Sequence, residues 1–361
     1  MHRSSTRLAD GREIIYFDRT ADRTSPPPDL RVLPAQTAAS RVRLDATTGD
    51  WVVVAGHRQS RGFAPGAGEC PLCPSRNGHL TEVPADDYDV VVFENRYSAL
   101  APADGADAAA DEPGQLLRST QANGRCEVIC FSSDHDTSFA ELKADHVRLI
   151  LDAWTDRTRA LAAMPGVRQV FCFENRGGEM GVSQPHPHGQ IYAYPFVTAR
   201  TARMIERAAE YRRDHDANLF EDLLDAEADD GRRVVRATDE WVAFVPFAAK
   251  WPYEVHVYPR RRRLDLTDLD EAQRDGFAAI YLDMLQRFER LFDTPAPYVS
   301  AWHQAPDAPG RDDLALHVEL FTNRRSSERL KVLGGTEVAM DAFSNDVGPE
   351  EAALRLRELG D

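Results

Sequence analysis

Residues Ser183 to Phe196 read SQPHPHGQIYAYPF and set two histidines, His186 and His188, one residue apart around a proline, ahead of a β-forming aromatic run. Successive side chains of a strand point to opposite faces, so His186, His188 and Gln190 share one face at spacings of about 6.5–7 Å. Pro187 cannot donate a ladder hydrogen bond, which places the stretch at a strand start or edge where a ligand can approach. Gly189 removes a side chain from beside His188 and is expected to let a phosphate come close to the backbone. A neutral imidazole, with an unperturbed pKa of about 6.5, is a competent nucleophile toward phosphorus near neutral pH, and a phosphorylated imidazole is a good leaving group. These residue types suit relay of a phosphoryl-type group through the protein. Two structural histidines at a sheet edge are the other reading, which the combination of two His, Pro, Gly and Gln at fixed offsets disfavours.

Cys70-Pro-Leu-Cys73 has the turn spacing of a zinc knuckle, but no second pair follows, so two further ligands must come from elsewhere. His135, in the SSDH turn after a strand, and His186 are the candidates. Cys126, Cys130 and Cys172 sit in apolar runs and read as core. Five cysteines make no disulfide framework, and a reducing cytoplasm is the expected setting. Arg58 and Arg61, three apart in GHRQSR after the WVVVA strand, match the geometry of a diphosphate, though surface arginines would look the same. A net charge of −16 argues against a general nucleic-acid binder. The RRRR run at Arg260–Arg263 reads instead as a solvated turn leading into a helix. The charged N-terminus lacks the apolar region of a secretory signal, and no stretch approaches the roughly 20 apolar residues of a membrane span.

The elements that must position these residues appear twice. EVICFSSDHDTSFAELKADHVRLILDAWTDRTRAL reads strand, turn, helix, and EVHVYPRRRRLDLTDLDEAQRDGFAAIYLDMLQRFERL reads the same way. Each helix is followed by a loop and a strand, VRQVFCFENRGG and PYVSAWHQAP. Each copy then closes on a strand opening with histidine, HPHGQIYAY and HVELFTN. The pattern predicts an α+β protein of duplicated units in one large, mostly antiparallel sheet flanked by helices, with halves at 1–198 and 199–361. In this alignment His186 matches His317 and His188 matches Glu319, so chemistry that needs His188 belongs to the first half alone.

His-Pro-His-Gly-Gln, preceded by FENRGGEMGVSQP, resembles the active-site segment of the galactose-1-phosphate uridylyltransferase family, the duplicated branch of the histidine-triad superfamily. The resemblance runs from about Arg41 onward and takes in CPLC, SSDH, FENRGG, WHQAP and KVLGGTE in the family's order. It implies histidine-triad-like units and a double displacement. His188 would attack the α-phosphorus of UDP-glucose and release glucose 1-phosphate; galactose 1-phosphate would then take the uridylyl group as UDP-galactose. Gln190 would steady the transferring phosphoryl group. Zinc would be held by Cys70, Cys73, His135 and His186. A second metal, iron or zinc, would be held by His303, His317 and Glu319, where the enteric-type sequence has histidine at the third position; Glu206 lies out of register for the fourth. Arg58, Arg61, Asn95, Asn175 and Ser183 would contact the nucleotide. Lys331 and Glu337 would reach the hexose phosphate of the neighbouring subunit in a homodimer. VAMDAFSNDVGPEE lacks the glutamine expected there and offers Phe343 or Asn345 instead. An adenylyltransferase or a dinucleoside polyphosphate phosphorylase would keep the chemistry and change the nucleotide. A zinc-stabilised nucleotide-binding module without catalysis would be expected to have lost the attacking group, yet His188, Gly189 and Gln190 are all intact.

Overall fold

β-Branched and aromatic runs such as EIIYFD, VVVFE and RCEVIC form the strands, because such side chains pack well on a pleated surface. The computed structural model describes residues 1–21, 25–34, 40–60, 70–101, 116–182 and 184–360. Eleven strands form one sheet, and every neighbouring pair in it is antiparallel. Its order is β1 (His2–Arg7), β2 (Glu13–Asp18), β5 (Val90–Glu94), β7 (Arg125–Cys130), β9 (His188–Tyr194), β8 (Gln169–Arg176), β13 (Tyr298–His303), β14 (His317–Phe321), β12 (Val255–Pro259), β11 (Trp241–Phe244) and β10 (Val234–Ala237). Outward from the β8–β13 junction the two sides repeat one another: β9, β7, β5, β2 on one and β14, β12, β11, β10 on the other. The duplicated, antiparallel α+β architecture expected from the sequence is the one observed.

One face of the sheet is covered by α1 (Ala144–Ala162) and α4 (Glu271–Arg290). Val147, Ile150 and Trp154 of α1, with Phe277, Ile280, Tyr281 and Met284 of α4, form helical stripes that pack on Ile129, Ile191, Val255 and Val318. Asp270 and Gln273 make a reciprocal capping box at the start of α4. The arginine run is spent on this turn. Arg263 Nε donates to Gln273 Oε1 at 2.6 Å, and Arg262 donates to the Leu314 carbonyl at 2.9 Å.

The opposite face is covered in three places. The segment from Cys70 to Tyr88 lies over Tyr16, Val91, Phe93, Val128 and Cys130. A small sheet of β3 (Arg41–Leu44), β4 (Trp51–Val54) and β6 (Ser119–Gln121) lies over Cys126, Tyr192 and Tyr194. Helices α2 (Ala199–His215) and α3 (Leu219–Asp230) lie over Val242, Phe244 and Tyr258. Cys126, Cys130 and Cys172 are wholly buried, as read from their apolar surroundings. The β1–β2 hairpin lies N-terminal to the family-like stretch. Its ADG turn, with Gly11 at φ +88°, ahead of EIIYF was the available signal.

Helix α1 is pinned to β7 by charge. Arg157 grips fully buried Glu127 through two 2.9 Å contacts, and Arg125 Nε lies 2.7 Å from the same carboxylate. Arg157→Met leaves that carboxylate underpaired and should destabilise the protein by about 3 kcal/mol in urea unfolding, whereas a loss below ~1 kcal/mol would show that Arg125 alone suffices.

Candidate active site

The Phe131 amide donates to the Pro187 carbonyl at 3.1 Å, fixing the entry of the chain into β9. His188 opens that strand, and its Nδ1–H donates to the carbonyl of His186 at 2.7 Å. A carbonyl only accepts, so in the neutral ring the proton sits on Nδ1 and the lone pair on Nε2. Gln190, two residues on, lies on the same face and accepts from the Tyr192 hydroxyl at 3.2 Å. His188 borders a cavity of about 290 Å³ shared with Asn175, Arg176, Gly177, Gly178 and His186. Gly189 has a different reason from the one expected. It faces the helix side, where an added Cβ would come within 2.7 Å of the Phe173 carbonyl and 2.8 Å of the Phe131 ring. Internal packing excludes a side chain there.

His186 is buried, and its ring is oriented by its other nitrogen. Nε2 lies 2.8 Å from the Ser132 carbonyl and 2.9 Å from the Tyr88 hydroxyl, which itself donates to the Leu72 carbonyl at 3.1 Å. Nδ1 is left for the cluster, 3.6 Å from Cys73 Sγ, while His135 Nδ1 lies 3.3 Å from the same sulfur. Donor atoms of Cys70, Cys73, His135 and His186 all lie within 4.8 Å of one another. Burial and the neighbouring Cys70 push the Cys73 thiol up to about 12, and burial pushes the His186 imidazole down to about 4. Two sulfurs and two imidazole nitrogens, closely gathered and buried or half-buried, fit a tetrahedral zinc ion, which would draw off the thiol protons. The four candidate ligands are therefore brought together.

The second half carries another gathering on the same face. Register pairs His303 with His317 and His256 with Glu319. Glu319 lies 3.3 Å from His303, 3.5 Å from His317 and 3.6 Å from His256, and Arg200 of α2 reaches it at 2.5 Å. His317, like His188, opens its strand and donates Nδ1–H to the carbonyl two residues back, that of Ala315, at 2.9 Å. In position and bonding His317 thus resembles His188, not His186. A slide of two residues keeps every side chain on its face, so the alternation of the sequence could not detect it. Glu206 is exposed on α2 and stands outside the cluster.

Arg58 sits half-buried in the turn Gly56–Ser60 beside Cys126, and the Asn95 amide donates to the Cys126 carbonyl at 2.8 Å. Cys126 pairs with Tyr192, four residues and about 13 Å along β9 from His188. Asn175 lines the cavity. Arg61 and Ser183 lie outside the described residues. Lys331 and Glu337 meet each other at 3.4 Å instead of lining the His188 cavity. Asn345 donates to the Ala249 and Trp251 carbonyls at 3.2 and 3.1 Å, a structural use. Four residues were not singled out from the sequence: Tyr88, Arg200, His256 and Glu174. His256 is the polar interruption in VHVYP; Glu174 is the neighbour of Asn175 in FENRGG.

A strand-opening histidine that borders a cavity beside a gathered metal-donor set, on a duplicated antiparallel α+β sheet, is an arrangement that comparison with known proteins places among the nucleotidyltransferases. Family models described as the N-terminal and C-terminal domains of galactose-1-phosphate uridyl transferase match residues 32–198 and 204–361. A galactose-1-phosphate uridylyltransferase of Streptomyces lividans is 46% identical over 100% of this chain and 99% of its own. One from Thermotoga maritima is 36% identical over 88% and 98%. A solved uridylyltransferase structure superposes with a TM-score of 0.78 at 30% identity, covering 88% of this chain and 98% of that one. The chain belongs to the galactose-1-phosphate uridylyltransferase family. These matches do not favour the adenylyl alternative.

Two outcomes follow from the site. Cys73→Ser should lower bound zinc and thermal stability together, since metal binding contributes folding free energy; full zinc stoichiometry in the variant would exclude Cys73 as a ligand. Burial raises the Glu174 carboxyl to about 8 despite the 3.0 Å hydrogen bond it accepts from Tyr298. The folded state then holds a proton that the unfolded chain loses above its usual carboxylate value, so this group lowers stability as pH rises from about 4.5 to about 8. Glu174→Gln should flatten that part of the stability–pH curve, and an unchanged slope would contradict the assignment.

Proposed function

We propose that this chain exchanges a uridylyl group between UDP-glucose and galactose 1-phosphate in two steps through His188. The observation carrying the reading is the His188 Nδ1–H bond to the His186 carbonyl, which commits Nε2 to attack. In the first step an Nε2–P bond forms as the bond from the α-phosphorus to the bridging oxygen breaks, and glucose 1-phosphate leaves. The uridylylated ring carries positive charge, which the same carbonyl stabilises through the retained Nδ1–H. In the second step a phosphate oxygen of galactose 1-phosphate attacks the phosphorus, the N–P bond breaks, and UDP-galactose leaves with the neutral ring restored. No net proton transfer is required.

Donors around the phosphoryl group carry the electrostatic load of each step. Gln190 is the nearest such side chain on the His188 face, with Asn175 bordering the cavity; Ser183 and Arg61 are assigned the same task by family likeness. Arg58 and Asn95, at the level of Tyr192, suit a nucleotide lying along β9. Zinc, when bound by Cys70, Cys73, His135 and His186, supplies a cross-link that holds the His186 backbone and thereby its carbonyl. His303, His317 and Glu319 are donors of the kind zinc or iron accepts, and Arg200 already faces them with a cation.

Residues 1–198 are assigned the catalytic half, and 199–361 the supporting half. Exposed Val332, Val338 and Met340 beside Lys331 and Glu337 support a homodimer in which this segment serves the neighbouring subunit's sugar phosphate. No helix among the described residues is long and apolar enough to cross a membrane, and the sparse, buried, unpaired cysteines suit the cytoplasm. The net charge of −16 offers nucleic acid no general footprint.

Mixing the purified protein with UDP-glucose should give a uridylylated species by intact mass, discharged by galactose 1-phosphate. His188→Ala should keep its fold and zinc while losing both adduct and turnover. Undiminished turnover in that variant would refute the nucleophile.

A further inference from the structure

The cluster around Glu319 poses a charge problem that differs from the one at the cysteine-histidine set. Glu319 is 3% exposed, and three imidazoles surround its carboxylate at 3.3 to 3.6 Å. His317 gives its Nδ1–H to the Ala315 carbonyl, so a neutral ring turns its Nε2 lone pair toward an oxygen that also offers lone pairs. Two acceptors facing each other in a buried site require a cation or a proton between or beside them. A divalent metal is one solution, but the donors present are not arranged for it alone. Among the described residues, three of them, His303, His317 and Glu319, gather within 4.8 Å of one another. His256 belongs to a separate grouping with Glu254 and Glu319, and its Nε2 is engaged by Glu254 at 2.9 Å.

A permanent cation already occupies the approach. The guanidinium of Arg200 lies 2.5 Å from Glu319 Oε1, the oxygen nearest both His317 and His256. A metal bound there would share that oxygen with a guanidinium at like-charge range, in a partly buried place where repulsion is weakly screened. Arg200 itself is 51% exposed and borders a cavity of about 230 Å³ that also reaches His303 and Glu319. It can therefore be replaced without disturbing the core, and the cluster can be reached from solvent.

We propose that Arg200 serves as the resident cation of the Glu319 cluster in place of a second bound metal, so that removing its guanidinium opens a metal site made by His303, His317 and Glu319. The chain as it exists then carries metal at the cysteine-histidine set alone. This inference does not depend on uridylyl transfer and is read by metal content.

The test compares the full-length protein with Arg200→Gln, equilibrated with zinc and analysed for metal per chain, with Tyr88, Cys70 and the first site left intact. The unsubstituted protein should hold a single zinc. Arg200→Gln should take up a second, at least about tenfold more tightly than any further zinc on the unsubstituted chain, the factor matching loss of a charge-assisted contact to the carboxylate. Before zinc is added the variant should melt a few degrees lower, and zinc should restore it. Adding His317→Ala to Arg200→Gln should abolish the second equivalent while the first remains, which also shows that the double variant folds. A second equivalent in the unsubstituted protein, lost on His317→Ala, would overturn the proposal by showing that metal is the resident cation. A single equivalent in Arg200→Gln would overturn it as well, because the guanidinium would then hold no metal's place.

Discussion

The structure turns on a 2.7 Å hydrogen bond from His188 Nδ1 to the carbonyl of the residue two before it. That contact places the proton of the neutral ring on Nδ1 and, in the reaction proposed above, leaves Nε2 to attack phosphorus. It is only as reliable as the backbone that presents the carbonyl. His186 is held from three sides: its ring by the Ser132 carbonyl and the Tyr88 hydroxyl, its Nδ1 by the sulfur-rich cluster, and the next peptide by the Phe131 amide. The metal-donor set thus braces the residue whose carbonyl holds the His188 ring, two residues before the strand that His188 opens.

The same device recurs in the second half with the opposite result. His317 also opens a strand and also gives its Nδ1–H to the carbonyl two residues back. Yet it is 1% exposed, stacked against the Tyr258 ring at 4.5 Å and the His303 ring at 4.9 Å, and its Nε2 looks at a carboxylate. An anionic phosphate has no approach to such a ring. The two halves therefore set the same hydrogen bond in two different surroundings. The difference lies in the surroundings: His188 borders a cavity, whereas His317 Nε2 meets Glu319.

Much of this was legible in the sequence. The strand–turn–helix pattern written twice required a symmetric sheet, and period-two alternation placed His186, His188 and Gln190 on one face. Cysteine spacing pointed to a metal, with His135 and His186 as candidates to complete the donor set. What was not legible follows from physics that sequence spacing cannot carry. A two-residue slide preserves every face, so alternation alone could not show that His317 bonds as His188 does. Gly189 looked like room for a ligand because the Phe131 ring and the Phe173 carbonyl, which fill its side of the sheet, come from distant segments. Arg200 and His256 acquire meaning only when α2 and β12 are brought against β14.

The central claim is most directly tested by nitrogen NMR of the zinc-loaded protein labelled at histidine, with His188→Ala used to assign the resonance. The account predicts that neutral His188 carries its proton on Nδ1, with an unprotonated Nε2, and that this preference weakens when zinc is removed. A His188 ring protonated on Nε2 in the zinc-loaded protein would contradict it.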